Sequence, residues 1–445
     1  MRNDLKVEIV TNYFRAFCFL RSMMKSAYWD YDRLTNHQNK KLRNIMRCAY
    51  DNVPFYHRKF RKSGIRPSDI KTTKDLKKLP IIRKNEVGKN LAKMISKKYD
   101  FHNLKVLSTS GSTGKPLFLR ISGVEDEFRK AKHLRANISC GQKLRDRWVV
   151  ITSPHHFGAS TKLQRMLGLY VPTPVSVFNN VATQMSIIGK MNPDILDGYS
   201  SSLLLLAKEA EKRRLKTIKP RFVIGGAELI DDVSRGSIED AFDAPFYDQY
   251  SCIELDRVSW QCPEKIGYHM DAESIIVQFI DENGEEVSPG EKGEIVCTSL
   301  FNCAMPLIRY AIGDMGSQSN DECPCGRTLP LMKVIEGRRD SLLVFPNGRV
   351  LSPRTFTVAV SSFKFYKHID LFRIVQKKDD SFEIYIKMKE DGVDRNTFEQ
   401  VLVKHLRGML GLGTDLAAFK VKFVEDIPLD KSGKLMIVVS ELYKQ

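Results

Sequence analysis

A loop rich in hydroxyl groups and glycine lies in the first third of the chain, in the string Ser108-Thr109-Ser110-Gly111-Ser112-Thr113-Gly114-Lys115-Pro116. The glycines let backbone N–H groups approach an anion closely, and the hydroxyl groups and the lysine add further donors. These residue types are suited to the phosphates of a nucleotide. The loop is not a Walker A motif, because only two residues separate Gly111 from Gly114 where that motif has four. On its own, the string is also compatible with a surface turn.

Three cysteines and one histidine form a second set of residues with possible chemistry. They are Cys262, His269, Cys323 and Cys325. Zinc binds such a set tetrahedrally, and a site with four protein ligands has a structural role. The Cys-x-Cys spacing is tighter than the usual spacing of zinc ligands, and cysteine is also a common small buried residue. A structural zinc site is therefore one of two interpretations.

The elements that must position these residues alternate between short apolar runs and helical patterns. Strand-like runs occur at 104–107, 148–151 and 222–224, and a helical pattern covers 201–213. Alternation of this kind predicts an α/β sheet with functional loops at the strand ends. The loop at Ser108 directly follows the first of these runs.

The two ends of the chain differ from this middle part. The first hundred residues show helical spacing of apolar positions, for example over 42–49, and stop signals before Pro54. Residues 274–298 predict antiparallel strands around the turn signal Asn283-Gly284. A smaller unit of about 100 residues begins near Asp340 and contains two strands, a helix over 396–409 and a last strand over 419–424.

Composition restricts the classes of protein that remain. A chain of 445 residues exceeds the size at which one core usually keeps growing, so two domains of unequal size are expected. The nine cysteines are an odd number without a secretory signal, which predicts reduced thiols and a cytoplasmic protein. No apolar run is long enough to span a membrane.

The net charge of +18 is concentrated at the N-terminus. Residues 1–100 contain 25 Lys and Arg against 9 Asp and Glu, whereas the remainder is nearly neutral. Such a region suits an anionic lipid surface at the inner membrane face or an anionic glycan, and it is also typical of a solvated helical face. No nucleic-acid-binding motif accompanies it, so we expect no nucleic-acid partner. The sequence is compatible with a homodimer.

Six motifs in order resemble those of the adenylate-forming superfamily, which includes acyl-CoA synthetases, adenylation domains and luciferases. The first is the phosphate loop at Ser108, and the sixth, at 428–434, resembles the loop with the catalytic lysine. The other five strings are Ile224-Gly225-Gly226-Ala227-Glu228, Tyr250-Ser251-Cys252-Ile253-Glu254, Tyr310-Ala311-Ile312-Gly313-Asp314, Gly337-Arg338-Arg339-Asp340 and Pro428-Leu429-Asp430-Lys431-Ser432-Gly433-Lys434.

The N-terminal part is similar to one branch of this superfamily. The segments 49–56 and 79–84 resemble the opening of phenylacetate-CoA ligases and, still more, the branch found with capsular-polysaccharide biosynthesis. The resemblance implies an α/β fold: a large N-terminal domain with layered αβ sheets and a β-rich subregion, and a small mobile α+β C-terminal domain. It implies a helical basic region over 1–100, an ATP- and acyl-binding core over 101–339 and a C-terminal lid domain over 340–445.

The resemblance also assigns roles to individual residues. Lys434 would stabilise charge at the α-phosphate as the catalytic lysine, and Glu254 would bind Mg²⁺. Asp340 would be the hinge, and the acyl-pocket candidates are His155, His156 and Phe157. Some relatives resemble this chain at the Cys/His set and bind zinc. The ATP contacts would come from Ser108, Thr109, Ser110, Gly111, Ser112, Thr113, Gly114, Lys115, Gly225, Gly226, Ala227, Glu228, Tyr250, Asp314 and Arg338.

The implied reaction is the activation of a carboxylate as acyl-AMP, followed by transfer to coenzyme A. ATP and Mg²⁺ are the expected cofactors, coenzyme A is the expected co-substrate and Zn²⁺ is optional. Ile253, Ile312 and Ser341 depart from the usual residues of the motifs, which puts the rate and the choice of nucleophile in doubt. Two alternatives remain: transfer to an amine or hydroxyl acceptor or of AMP alone, and a non-catalytic protein that binds a glycan or a membrane.

Overall fold

We describe a computed structural model of the chain. None of its described helices combines the length and the hydropathy needed to cross a lipid bilayer. The residues that the structure describes are 2–109, 117–154, 160, 162–215, 217–338, 343–345, 350–351, 356–357, 359–360, 362–389, 394–411, 418–430 and 435–442.

Helices dominate the first hundred residues, as predicted. Asp30 caps the helix Tyr31–Asn52, where its carboxylate accepts the N–H of Arg33 at 2.7 Å, and this helix ends two residues before Pro54. Short 3-10 turns cover Pro67–Asp69, Thr73–Lys78 and Phe101–Asn103. The helices are α1 (Arg2–Ser26), α2 (Tyr31–Asn52), α3 (Pro54–Lys62), α4 (Lys84–Lys89), α5 (Leu91–Met94), α6 (Gly123–Ser139), α7 (Lys162–Leu167), α8 (Val181–Met191), α9 (Ser200–Lys212), α10 (Asp232–Phe242) and α11 (Arg395–Leu410).

The strands fall into several sheets. They are β1 (Lys105–Ser108), β2 (Phe118–Ile121), β3 (Trp148–Thr152), β4 (Pro172–Ser176), β5 (Ile195–Tyr199), β6 (Phe222–Gly226), β7 (Phe246–Cys252), β8 (Asp256–Gln261), β9 (Tyr268–Met270), β10 (Ile275–Ile280), β11 (Gly293–Ser299), β12 (Tyr310–Ser319), β13 (Leu331–Arg338), β14 (Leu343–Val344), β15 (Val350–Leu351), β16 (Ile369–Gln376), β17 (Phe382–Met388), β18 (Phe419–Phe423) and β19 (Val438–Ser440).

The chain divides into two compact units, and the first combines three separate segments, 1–111, 115–143 and 247–335. Its sheet has the strand order β10-β11-β12-β13-β9-β8-β7. The N-terminal helices supply one side of its core, since residues of α2 and α3 pack with residues of β10 to β12. The Tyr56 hydroxyl donates to Pro306 O at 3.0 Å and accepts from Ile308 N at 3.0 Å. The basic N-terminal region is thus part of the core of this unit.

The second unit contains residues 112–114, 144–246 and 336–445. Strands β3, β4, β5 and β6 are parallel and lie in the order β6-β5-β3-β4. Their apolar side chains pack with α8, α9 and α10 in one buried cluster. The predicted strands at 148–151 and 222–224 and the predicted helix at 201–213 are confirmed as β3, β6 and α9.

We call the described residues between 343 and 442 the C-terminal lobe. A four-stranded sheet in the order β18-β17-β16-β19 packs on α11 around its own apolar core. The strand pair β16 and β17 is antiparallel, whereas β19 joins β16 in parallel. The predicted helix and last strand are confirmed as α11 and β18, and the antiparallel pair predicted within 274–298 is confirmed as β10 and β11.

Candidate active site and metal site

The ends of the predicted phosphate loop are held together by a short hairpin. Strands β1 and β2 pair antiparallel, with Ser108 opposite Phe118. Thr109 is buried; its N–H donates to Leu117 O at 3.0 Å, and its Oγ1 accepts the N–H of Leu117 at 2.9 Å. The loop therefore begins and ends at a fixed point in the first unit. The predicted contacts from Ser110 to Lys115 lie outside the described residues.

Two carboxylates of the predicted site lie in the first unit, and each binds a tyrosine hydroxyl. The Tyr250 hydroxyl, at the end of β7, donates to Asp314 Oδ2 at 2.6 Å. The Tyr310 hydroxyl, at the start of β12, donates to Glu254 Oε1 at 3.1 Å. One pair links β7 to β12 and the other links the β7–β8 turn to β12, so the motifs at 250–254 and 310–314 lie together.

Burial and charge keep the Tyr250 hydroxyl protonated. Burial, and after it the Asp314 carboxylate, raises the pKa of Tyr250 well above its usual value. The phenol is therefore a hydrogen-bond donor at neutral pH. It orients the Asp314 carboxylate, whose oxygens are acceptors that suit donors such as ribose hydroxyls.

Glu254 lies at a position suited to a hard cation. The residue is only 9% exposed, and the Tyr310 hydroxyl occupies one of its oxygens. The preceding carbonyl, Ile253 O, accepts from Arg129 Nη2 at 2.8 Å, which fixes the turn. A carboxylate held in this way can bind Mg²⁺ through its other oxygen.

The Gly225–Glu228 segment lies at the end of β6 in the second unit. A Cβ atom on Gly225 would lie 2.0 Å from Phe246 Cζ, so glycine is required by close packing. Ala227 has a left-handed φ of +65°, and Glu228 Oε2 accepts the N–H of Ser201 at 2.8 Å. The backbone of the segment is therefore strongly constrained.

Several predicted residues cannot be placed. Lys434 and the hinge residue Asp340 lie outside the described residues, and Arg338 ends β13 without a described side chain. The acyl-pocket candidates His155, His156 and Phe157 also lie outside the described residues. Their predicted roles stay predictions.

The four predicted zinc ligands converge in the first unit. Cys262 follows β8, His269 lies in β9, and Cys323 and Cys325 precede β13, which pairs with β9. The Sγ atoms of Cys262 and Cys323 are 3.5 Å apart, and Cys325 Sγ lies 3.4 Å from His269 Nε2. All four ligand atoms lie within 4.8 Å of one another.

These distances fit one tetrahedral zinc ion. With Zn–S bonds of about 2.3 Å, two sulfur ligands of a tetrahedron are about 3.8 Å apart. Three of the four residues are buried, and an apolar cluster that includes Trp260 and Leu331 packs around them. The donor set and its burial therefore fit the prediction of a metal held by four protein ligands.

Two partners of the site were not predicted from the sequence. Tyr310 binds Glu254, and Ser201 binds Glu228 through its backbone. Tyr310 begins one of the quoted motifs, so it could have been selected from its position there. No sequence signal distinguishes Ser201 from the two serines beside it, Ser200 and Ser202.

The fold and the C-terminal part of the chain are similar to those of known proteins. The CapK C-terminal domain model matches residues 343–441. A solved 2-hydroxyisobutyryl-CoA ligase, in the postadenylation state with 2-HIB-AMP, superposes with a TM-score of 0.79 at 21% identity, over 94% of this chain and 93% of that chain. The chain therefore has the fold of this CoA ligase, and its residues 343–441 are similar to the CapK C-terminal domain.

Curated relatives are similar to this chain in sequence over most of its length. The phenylacetate-coenzyme A ligase of Pseudomonas putida is 26% identical over 403 residues, which cover 86% of this chain and 90% of that protein. Protein CapK of Staphylococcus aureus is 23% identical over 430 residues, which cover 91% of this chain and 89% of that protein. The resemblance and the fold class predicted from the motifs are confirmed.

Proposed function

We propose that this chain is an ATP-dependent, adenylate-forming acid–thiol ligase. The observation that carries the proposal is the pair of oriented carboxylates, Asp314 and Glu254, within this fold. Similarity to phenylacetate-coenzyme A ligases over most of both chains supports coenzyme A as the acceptor. A small carboxylic acid is the expected substrate.

The first half-reaction joins the acid to AMP. A carboxylate oxygen of the substrate attacks the α-phosphorus of ATP, the bond from that phosphorus to the bridging oxygen breaks, and pyrophosphate leaves. Asp314 is suited to the ribose hydroxyls, and the Tyr250 hydroxyl orients it. Mg²⁺, held by Glu254, would screen the charge of the phosphates. Lys434 would stabilise the charge that develops at the α-phosphate.

The second half-reaction transfers the acyl group. The sulfur of coenzyme A attacks the acyl carbonyl carbon, the bond from that carbon to the AMP oxygen breaks, and the thiol proton passes to solvent. Asp340 would be the hinge about which the C-terminal lobe rotates, so that Lys434 leaves the site before the thiol of coenzyme A attacks. Arg338 would contact ribose or phosphate, and the acyl group would lie near residues 155–157.

The proposal is tested by two assays in sequence. Carboxylate-dependent exchange of pyrophosphate into ATP, measured with a panel of aliphatic and aromatic acids, reports the first half-reaction. Mass spectrometry after addition of coenzyme A reports the thioester. A complete lack of exchange and of ATP binding would contradict an enzymatic function and would favour the non-catalytic alternative.

The match to the CapK C-terminal domain favours a place in the biosynthesis of a capsular or extracellular polysaccharide. In such a pathway an amine or hydroxyl group of a sugar could accept the acyl group instead of coenzyme A. Exchange activity without thioester formation, together with acylation of an amino sugar, would identify this acceptor class. Thioester formation would identify coenzyme A.

We also propose that the outer face of α1 contacts an anionic lipid surface. Phe14 is 70% exposed and Phe17 is 60% exposed, and the exposed cations Arg21 and Lys25 follow on the same helix. The inner face is occupied, because Phe19 packs edge-on against Phe128 of α6. Exposed aromatic residues beside cations suit the interface of a membrane that contains anionic lipids.

Co-sedimentation tests this surface. The full chain should sediment with vesicles of phosphatidylglycerol and phosphatidylcholine but not with phosphatidylcholine alone, and the double substitution Phe14→Ser, Phe17→Ser should reduce the bound fraction. Equal binding by the variant would contradict the proposal. Binding to an acidic polysaccharide without binding to either vesicle would identify a glycan partner instead.

A further inference from the structure

Three residues of α9 form one stripe that faces the C-terminal lobe. They are Ser201, Leu205 and Lys208, at positions i, i+4 and i+7, which lie on the same side of a helix. Each of them contacts a different kind of partner in the lobe: a backbone N–H group, an apolar cluster and a carboxylate. The stripe and the lobe belong to the same compact unit.

The contacts along the stripe are specific. Ser201 Oγ accepts the N–H of Leu435 at 3.3 Å, and Leu205 packs against the buried cluster that contains Leu435. Lys208 Nζ lies 3.3 Å from Asp370 Oδ1, and the two side chains are only 19% and 23% exposed. Burial lowers the pKa of Lys208, and the Asp370 carboxylate opposes this shift. The ion pair is therefore largely shielded from water.

Ser201 has a second partner at its backbone. Its N–H donates to Glu228 Oε2 at 2.8 Å, and Glu228 belongs to the segment that the resemblance assigns to adenine. The same serine thus contacts the adenine segment through its N–H group and the lobe through its hydroxyl. Its partner in the lobe, Leu435, directly follows Lys434 in the sequence.

We propose that this stripe of α9 is the docking surface that holds the C-terminal lobe for the first half-reaction, with Ser201 as a positioning residue. The proposal rests on the function proposed above. It predicts that the stripe supports adenylate formation and not thioester formation, because the two half-reactions require the lobe in different arrangements. Loss of a contact on the stripe should therefore change the ratio of the two rates.

The variant Ser201→Ala removes the hydroxyl and leaves the backbone bond to Glu228. The matched control is Ser202→Ala, because Ser202 is equally buried on the same helix and its hydroxyl has no hydrogen-bond partner among the described residues. We expect Ser201→Ala to lower pyrophosphate exchange about threefold to tenfold, the effect of losing one hydrogen bond. Thioester formation from supplied acyl-AMP and coenzyme A should stay within twofold of wild type.

A double-mutant cycle tests the other end of the stripe. Lys208→Met keeps the aliphatic stem and removes the charge, and Asp370→Asn removes the partner charge. Each single variant should lower exchange severalfold, and the double variant should be no slower than the slower single variant. Additive losses would show that the two residues act independently, and they would overturn the role of this pair.

Hydrogen–deuterium exchange gives a readout that does not depend on activity. The Leu435 amide should lose protection in Ser201→Ala and keep it in Ser202→Ala. Unchanged protection, or an equal decrease in both half-reactions, would overturn the inference. A wild-type chain without any exchange activity would refute the proposed function, and the amide measurement would still decide whether the docking contact forms.

Discussion

The Tyr250 hydroxyl and the Asp314 carboxylate form a 2.6 Å hydrogen bond that joins the end of β7 to β12. A short bond from a neutral donor to an ionised acceptor is stronger than a bond between neutral groups. The bond holds one oxygen of the Asp314 carboxylate, so the orientation of this carboxylate is fixed before a ligand binds. The tyrosine hydroxyl therefore orients the Asp314 carboxylate.

The substitution Tyr250→Phe tests this contribution. It keeps the ring and removes the donor, so Asp314 loses its fixed orientation, and the KM for ATP should rise about fivefold with a smaller change in kcat. The matched control is Tyr268→Phe, because the Tyr268 hydroxyl binds Asp248 at 2.7 Å outside the predicted motifs. Steady-state kinetics with ATP as the varied substrate check the result, and an equal KM in both variants would argue against the role.

Glu254→Gln should raise the requirement for Mg²⁺. Glutamine keeps an acceptor for the Tyr310 hydroxyl but loses the negative charge that, in the proposed function, would bind the cation. We expect the Mg²⁺ concentration for half-maximal exchange to rise about tenfold. The exposed carboxylate Glu282 provides the control variant, Glu282→Gln. Identical Mg²⁺ curves for Glu254→Gln and wild type would remove Glu254 from the cation site.

Lys434→Ala should separate the two half-reactions. If Lys434 is the cation that stabilises the transition state, as proposed, its removal should slow exchange about 10²-fold to 10³-fold, while ATP binding and thioester formation from acyl-AMP continue. Lys431→Ala, three positions earlier in the same motif, is the control. If both substitutions leave the exchange rate unchanged, the catalytic lysine lies elsewhere.

The Cys/His set should hold about one zinc ion per chain. Metal analysis of chain purified without chelators should find this ion, and Cys323→Ser should lose it together with several degrees of melting temperature. Cys297→Ser, which changes a buried cysteine of β11, is the control for loss of packing alone. Full zinc content in Cys323→Ser would contradict the assignment.

Glu125 should make the stability of the first unit depend on pH. Burial raises the pKa of this carboxyl above its ordinary value of 4.5, although it accepts N–H groups from Ser122 and Ala304. Between the two pKa values the native state binds more protons than the unfolded state, so stability falls as pH rises through this window. Glu125→Gln should lack this slope, so urea denaturation from pH 4.5 upward should show the wild-type midpoint falling relative to the midpoint of the variant.

Local patterns predicted most of the elements. The turn signal Asn283-Gly284 predicted an antiparallel pair, and Gly284 has the left-handed φ of +83° that such a turn requires. The polar turn before Phe382 likewise separates β16 from β17. In these cases the residues that determine the structure are neighbours in the sequence, so a short window contains the necessary information.

Long-range arrangements were not accessible in this way. The parallel pairing of β19 with β16 joins residues more than 60 positions apart, and no periodicity indicates which strand is the partner. Of the candidate site, the motifs identified Glu254 and Asp314 but not the tyrosine hydroxyls that orient them. The four predicted zinc ligands were selected by residue type, by spacing and by resemblance to relatives, and the pairing of β9 with β8 and with β13 brings them together.

The buried Tyr56 hydroxyl, which binds Pro306 and Ile308, determines when the first unit can be completed during synthesis. A ribosome must add about 250 residues after Tyr56 before these partners exist. In the parallel pairs formed by β3, β4, β5 and β6, directly opposed residues such as Trp148 and Ile195 are at most 47 positions apart, so these strands can pair much earlier. We therefore expect residues 144–246, which contain β3 to β6, to fold first. The basic N-terminal helices would remain dependent on chaperones until the nascent chain reaches β12.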